Sequence, residues 1–375
     1  MDFELTTEQT MLRDTVRSVL ARHYTHEHRA QVIGTDPGWD PQVWSTFAEI
    51  GLLGLTISAE DGGMGAGPIE TMLVLEELGR VLAPEPVLDC ALLPGALISR
   101  AGSQLQRKQI LPEVASGERR IVFAHGEPGL RPVTAQVTTQ ATLVGDGWQV
   151  SGRKHPVAWG DCADQLIVSA ALPDGGTGLF LIEPTDSGVT VAGYRTHDGR
   201  RGADLTFDRA TAVPLGAAVD AGDAIADIIV TAQAALGAEA IGAMSQALRL
   251  TTEYLSTRKQ FGVPLRSFQT LTQRAADMYV SLELARSMSL YASMSLADGV
   301  ADPVVAARAK LRIGRSGRHI GQEAIQMHGG IGMTAEYPVG HYTARLTAIE
   351  HTLGDSGDHL RYLAGHVADH QLAEI

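Results

Sequence analysis

Two long segments near the end of the chain, about 224–257 and 267–297, constrain its fold more than anything else. In the second, Leu271, Ala275, Met278, Leu282, Ala285 and Met288 fall on one stripe at helical spacing. At ~1.5 Å per residue each segment makes a helix ~45 Å long. Helices of that length bury an apolar stripe against one another, so the spacing predicts an antiparallel bundle. Two further helices are expected over about 303–327 and 339–353, and a short last one near 357–367.

The rest of the chain differs in period. Thr6 or Thr7 can cap a helix carrying Met11, Leu12, Val16, Val19 and Leu20. A second helix is marked by Trp44 and Phe47 and stops near Gly51 and Gly54; helix resumes through Met72 to Leu78 and Leu88 to Ile98. Near Leu111-Pro112 the period changes from 3.6 to 2. Ile121 to Ala124, a hairpin over Thr142 to Val150 turning at Asp146-Gly147, Gln165 to Ala170, Gly178 to Ile182, Val189 to Ala192 and Leu205 to Phe207 are expected strands. The chain is thus read as α+β: an N-terminal helical domain (1–116), a middle β-barrel-like domain (117–215) and a C-terminal four-helix-type bundle (216–375).

Composition excludes several classes. The net charge of −13 lacks the basic footprint of a nucleic-acid binder. No stretch is read as a membrane span, and the acidic start Met1-Asp2-Phe3-Glu4-Leu5 is unlike a signal peptide. Two distant cysteines, Cys90 and Cys162, make neither a disulfide framework nor a zinc site. A cytoplasmic protein is expected. The glycine-rich loop Asp61 to Pro68 lacks the lysine and strand–helix setting of a phosphate cradle and reads as a turn.

Two short runs bracket the 267–297 and 303–327 helices: Arg258-Lys259-Gln260-Phe261-Gly262 with Gln269, and Gln326-Met327-His328-Gly329-Gly330. Arg258 offers a planar fork of donors with a permanent charge, suited to a pyrophosphate. Gln269 and Gln326 each donate and accept, and Gly329-Gly330 lets backbone N–H groups approach a ligand closely. Each feature also has a purely local reading. Arg258 can close a helix, and Gly329-Gly330 can cap one.

The order of domains and the motifs together resemble the acyl-CoA dehydrogenase family over essentially the whole chain. Leu5-Thr6-Thr7-Glu8-Gln9, Ile50-Gly51-Leu52-Leu53-Gly54-Leu55, Asp61-Gly62-Gly63-Met64-Gly65 and Leu75-Glu76-Glu77-Leu78-Gly79-Arg80 are similar to its first domain. Arg258 to Leu265 with Phe268-Gln269, and Gln326 to Gly330 followed by Glu336-Tyr337-Pro338, are similar to its flavin-contacting segments. The resemblance implies FAD as cofactor and an acyl-CoA substrate. In it a base removes the α-proton of the thioester and the β-hydride passes to the flavin N5. It also implies that each FAD lies at a subunit interface. Arg258, Phe261 (at the adenosine end), Gln269, Gln326, Gly329 and Gly330 would then serve the neighbour's flavin.

The other half of the family's site departs from pattern. After Glu127-Pro128-Gly129 come Leu130, Arg131 and Pro132 in place of small polar residues. In Lys154-His155-Pro156-Val157-Ala158-Trp159-Gly160, Pro156 stands at the flavin-side aromatic position and Ala158 at the hydroxyl position; Trp159 is read as a packed core residue. The base position seventeen residues after Glu336 is Leu353, and the alternative position twenty-six residues before Arg258 is Ala232. Neither side chain accepts a proton. Two nearby glutamates are candidates. Glu239 is two helical turns from Ala232, either a base of raised pKa or a core ion-pair partner; Glu350 otherwise reads as a helix-surface carboxylate. His125, His155 and His328 have no metal-ligand spacing, and His328 reads as part of its turn.

The pattern resembles the non-catalytic subunit of heterotetrameric (α2β2) bacterial acyl-CoA dehydrogenases, some acting on sterol side-chain CoA thioesters. That resemblance implies a homologous catalytic subunit as partner and an electron-transfer flavoprotein or similar acceptor. Two alternatives stand beside it: a self-sufficient homo-oligomeric dehydrogenase using Glu239, and a flavin-free scaffold of the same fold.

Overall fold

The computed structural model describes residues 5–129 and 136–367. Six helices come first: α1 (Thr7–His23), α2 (His26–Gly34), α3 (Pro41–Glu49), α4 (Pro68–Val81), α5 (Leu93–Ala101) and α6 (Gln104–Ala115). Seven strands follow: β1 (Ile121–Ala124), β2 (Gln140–Val144), β3 (Gly147–Ala158), β4 (Gln165–Ala171), β5 (Thr177–Ile182), β6 (Val189–Arg195) and β7 (Arg201–Pro214). Helices return as α7 (Gly222–Thr257), α8 (Gln269–Ala297), α9 (Pro303–His328), α10 (Val339–His351) and α11 (Ser356–Gly365). The fold is α+β in the expected order: helices, sheet, helices.

Periodicity misses α2 and α6 for physical reasons. α2 is short and rich in charge and histidine, with no apolar face to betray it. α6 holds Pro112 inside its last turns, where proline normally ends a helix. β7 is far longer than the expected Leu205–Phe207, because it pairs with β3, β5 and β6 along its length.

By contacts the chain forms two compact units, one of Met1–Arg29, Pro68–Ala83 and Gln233–Ile375, the other of Ala30–Gly67 and Pro84–Ala232. In the second unit the strands close on themselves: β4 pairs β5, β5 pairs β7, β7 pairs β3, β3 pairs β2, and β2 meets β4 through Gln140 and Ala171. β4, with every residue from Gln165 to Ala170 buried, is the inner strand of this ring.

In the first unit α9 packs against α8, α10 and α11, and α4 crosses α7. That crossing explains two glycines. A Cβ on Gly79 would sit 2.0 Å from the Glu239 carbonyl oxygen, and one on Gly242 would sit 1.9 Å from that of Glu76. Backbones so close admit no side chain between them. α7 contains a window apolar enough to cross a membrane, contrary to expectation, but 83% of that window is buried inside the protein. Its hydrophobicity on all sides is that of a core helix. Replacing Gly242 with Ala should push α4 off α7 and destabilise the chain by ~1–3 kcal/mol, the usual range for overpacking; a denaturant melt unchanged from wild type would contradict the crossing.

Candidate functional site

α8 and α9 run antiparallel. Arg274 Nη2 donates to Glu323 Oε1 at 2.9 Å, and further along the pair Ser281 Oγ meets His319 Nδ1 at 2.8 Å. In that register the first residue of α8, Gln269, is level with the end of α9 at His328. The two runs therefore meet at one end of the helix pair.

The first run leaves α7 at Arg258, whose N–H still bonds the Tyr254 carbonyl at 2.9 Å. It folds as a tight hairpin of β8 (Lys259–Gln260) and β9 (Val263–Pro264). Its two turn residues, Phe261 and Gly262, have φ of 52° and 82°, as a type I′ turn demands. Phenylalanine in a left-handed conformation costs roughly 1–2 kcal/mol. Yet Phe261 sits at the tip, 91% exposed, with only an edge contact to Phe268 at 6.1 Å. Arg258 and Gln269 are exposed beside it.

The second run closes α9. Gln326 is exposed, and Gly329, at φ 67°, caps the helix by donating its N–H to the carbonyls of Gln326 and Ile325. The helix-closing and capping roles are thus both present. They do not use up the site, because a Cβ on Gly329 or Gly330 would meet nothing within 4 Å. By its place in the sequence His328 is expected as part of the turn. It is instead buried, its ring 4.5 Å from Tyr254 and 4.8 Å from Tyr337 between centroids.

The second unit carries the residues at the other family positions. Glu127 is buried and accepts from Lys154 Nζ at 2.7 Å, from the Thr138 N–H at 2.6 Å and from the Thr139 N–H at 2.9 Å. Burial alone would raise its pKa; the ammonium and the Thr138 and Thr139 donors outweigh burial and hold it at about 2. Burial lowers Lys154 to about 8 against the pull of Glu127, so the pair is ionised at neutral pH. Lys154 Nζ also donates to the His125 carbonyl and to Ser169 Oγ, and His125 Nδ1 meets that same Ser169 Oγ at 2.9 Å. His125 is therefore part of a buried polar cluster rather than a surface group.

Pro156 falls in the register shift of β3 between Lys154 and Val157, where a missing N–H breaks no ladder bond. Ala158 ends that strand. Trp159 is 1% exposed and packs edge-on against Trp39 at 5.7 Å, a core residue. Leu130, Arg131 and Pro132 lie outside the described residues.

The two candidate glutamates are both engaged. Arg345 Nε and Nη2 donate to Glu239 Oε1 and Oε2 at 2.8 and 2.7 Å, both groups buried. A carboxylate held bidentately by a guanidinium is stabilised in its charged form and occupied on both oxygens. This favours the ion-pair reading over the base. Glu350 is not on the surface: it is 4% exposed, and its Oε1 accepts the Ser356 N–H at 3.0 Å. It lies against Gly314, where a Cβ would sit 1.6 Å from Glu350 Oε2, so a side chain there would force the carboxylate to move. At the expected base position stands Leu353, at φ 58°, its carbonyl accepting from Gln233 Nε2 at 2.9 Å. Ala232 is buried in α7. Among the described residues no cluster of three His, Cys, Asp or Glu side chains suits a metal.

Residues 6–118 match the acyl-CoA dehydrogenase N-terminal domain and residues 225–367 the C-terminal domain of the same enzymes. The acyl-CoA dehydrogenase IpdE2 of Mycobacterium tuberculosis is 33% identical over 96% of this chain and 97% of its own. The chain belongs to the acyl-CoA dehydrogenase family. Its members are FAD-dependent oxidoreductases. Among solved structures, a variant of the Tcur3481-Tcur3483 steroid ACAD superposes with a TM-score of 0.89 at 33% identity, covering 96% of this chain and 98% of that one. The ChsE4-ChsE5 complex from Mycobacterium tuberculosis gives 0.89 at 27% identity, covering 99% and 100%.

The donor set of the two runs fits an acyl-CoA dehydrogenase's FAD. It offers an exposed guanidinium, a projecting aromatic, two exposed amides and exposed glycine backbone at Gly329 and Gly330. The Glu239–Arg345 geometry makes a separate prediction. Glu239→Gln should lower stability by ~3–5 kcal/mol, the usual cost of breaking a buried pair, while turnover per folded assembly is kept. Lost turnover at unchanged stability would instead mark Glu239 as a base.

Proposed function

We propose that this chain is the non-catalytic subunit of a heteromeric acyl-CoA dehydrogenase, completing the FAD site of a homologous partner that carries the base. The observation carrying this reading is an asymmetry. Every residue expected to serve a neighbour's flavin is exposed and brought to one end of the α8–α9 pair, whereas the positions expected to serve the chain's own flavin hold proline, alanine and leucine. In the assembly FAD supplies the hydride acceptor at N5. The chain's own part is binding and orientation. Arg258 neutralises the pyrophosphate, Phe261 covers the adenosine end, and Gln269, Gln326 and the backbone at Gly329-Gly330 hydrogen-bond what lies between.

Two features support a partner over this face. Phe261 combines left-handed backbone with nearly full exposure, a combination that is unfavourable in an isolated chain and offset when the ring is covered. Along α8, Val280, Leu284 and Tyr291 are also exposed, by 55%, 45% and 43%. Apolar residues gathered on one helix face mark an interaction surface. The substrate class we assign is the CoA thioester of a bulky, steroid-type acyl group, on the likeness to the steroid ACAD structure. An electron-transfer flavoprotein or similar acceptor would reoxidise the partner's flavin.

Expressed alone, the chain should purify without flavin. Co-expressed with a homologous chain that has a glutamate at the base position, it should form a yellow complex, and Arg258→Ala in this chain should cut flavin retention at least tenfold, for a charge-assisted contact of ~1.5–3 kcal/mol. Full flavin retention by the Arg258→Ala complex would contradict the reading.

A further inference from the structure

We infer that His328 is a positioning residue for the flavin-donating face: with Tyr254 and Tyr337 it clamps the end of α7, which carries Arg258, to the end of α9, which carries Gln326 and Gly329-Gly330. This rests on the reading proposed above and adds a device by which two separate runs act as one surface.

His328 Nδ1 lies 2.7 Å from the Ala324 carbonyl oxygen, and its Nε2 lies 3.2 Å from the Tyr337 hydroxyl. A carbonyl only accepts, so Nδ1 carries the proton. In a neutral imidazole Nε2 then accepts the Tyr337 O–H. Burial holds the His328 pKa below its ordinary value, keeping that neutral form. The ring thus joins the last turn of α9 to the Glu336-Tyr337-Pro338 segment across the intervening glycine turn, Gly329–Met333.

Its flat side faces α7. The Tyr254 ring lies against it, tilted by 31° with centroids 4.5 Å apart, the Tyr254 and Tyr337 rings meet edge-on at 6.2 Å, and the Leu250 carbonyl also approaches the imidazole. Tyr254 is one helical turn before Arg258 and accepts the Arg258 N–H on its carbonyl. A shift of Tyr254 is therefore a shift of the guanidinium. The far margin of the same loop is held independently: His26 Nε2 and His341 Nε2 both approach the Ala335 carbonyl, at 3.3 and 2.9 Å. A loop pinned at both margins presents its glycine backbone in one conformation, which lowers the ordering cost of binding.

The test uses the co-expressed complex. His328→Phe keeps ring packing and removes both hydrogen bonds; Tyr337→Phe removes only the hydroxyl. The FAD dissociation constant is measured by flavin fluorescence, with thermal melts of the flavin-stripped complex and Arg258→Ala alongside. Expected are a rise of roughly tenfold for His328→Phe and roughly threefold for Tyr337→Phe, equivalent to ~0.7 kcal/mol per hydrogen bond, with stripped-complex melts within ~2 °C of wild type. Unchanged affinity in both, where Arg258→Ala loses flavin, overturns the clamp alone. Unchanged affinity in all three overturns the donor reading beneath it. Flavin loss that merely tracks falling melting temperature makes the cluster ordinary packing and also overturns the proposal.

Discussion

The antiparallel pairing of α8 with α9 is the constraint on which the donor face depends. Arg274–Glu323 and Ser281–His319 mark its register, although these partly exposed contacts add little stability themselves. The register is held by buried stripes: Met278, Leu282 and Ala285 on α8, and Ile313, Ile320 and Ala324 on α9. A slip of one turn would part Gln269 from Gly329 by about 5.4 Å. No hydrogen-bonding ligand tolerates that. Residues about sixty positions apart in sequence become neighbours because two apolar stripes fit in one way.

Given that face, the local energetics are lopsided. Phe261 bears backbone strain and exposure together, and a Cβ on Gly329 or Gly330 would meet nothing within 4 Å among the described residues. By contrast, the groups one would search for chemistry are mostly engaged inside the fold, although Glu350 Oε2 is buried with no hydrogen-bond partner among the described residues. Glu127 is matched to Lys154, Glu239 to Arg345, and Glu350 to the Ser356 N–H.

Much of this was legible in the sequence, for identifiable reasons. Long stripes gave the bundle helices to within a few residues, and alternation gave the strands. The two runs stood out through their resemblance to the flavin-contacting segments of acyl-CoA dehydrogenases. α2 and α6 were missed because one lacks an apolar face and the other contains Pro112. Glu350 was misjudged because it packs against Gly314 in another helix, a contact no local pattern encodes. The role of His328 was hidden likewise. Tyr254 and Tyr337 lie far apart in sequence, and nothing in either segment announces the other.

The central claim is that the chain gives to a flavin site without owning one. The direct measurement is the flavin content of the purified native assembly, by absorbance of released FAD against chain concentration from quantitative amino-acid analysis. The account predicts one FAD for every two chains, in equal amounts of this chain and its partner. One FAD per chain would contradict it.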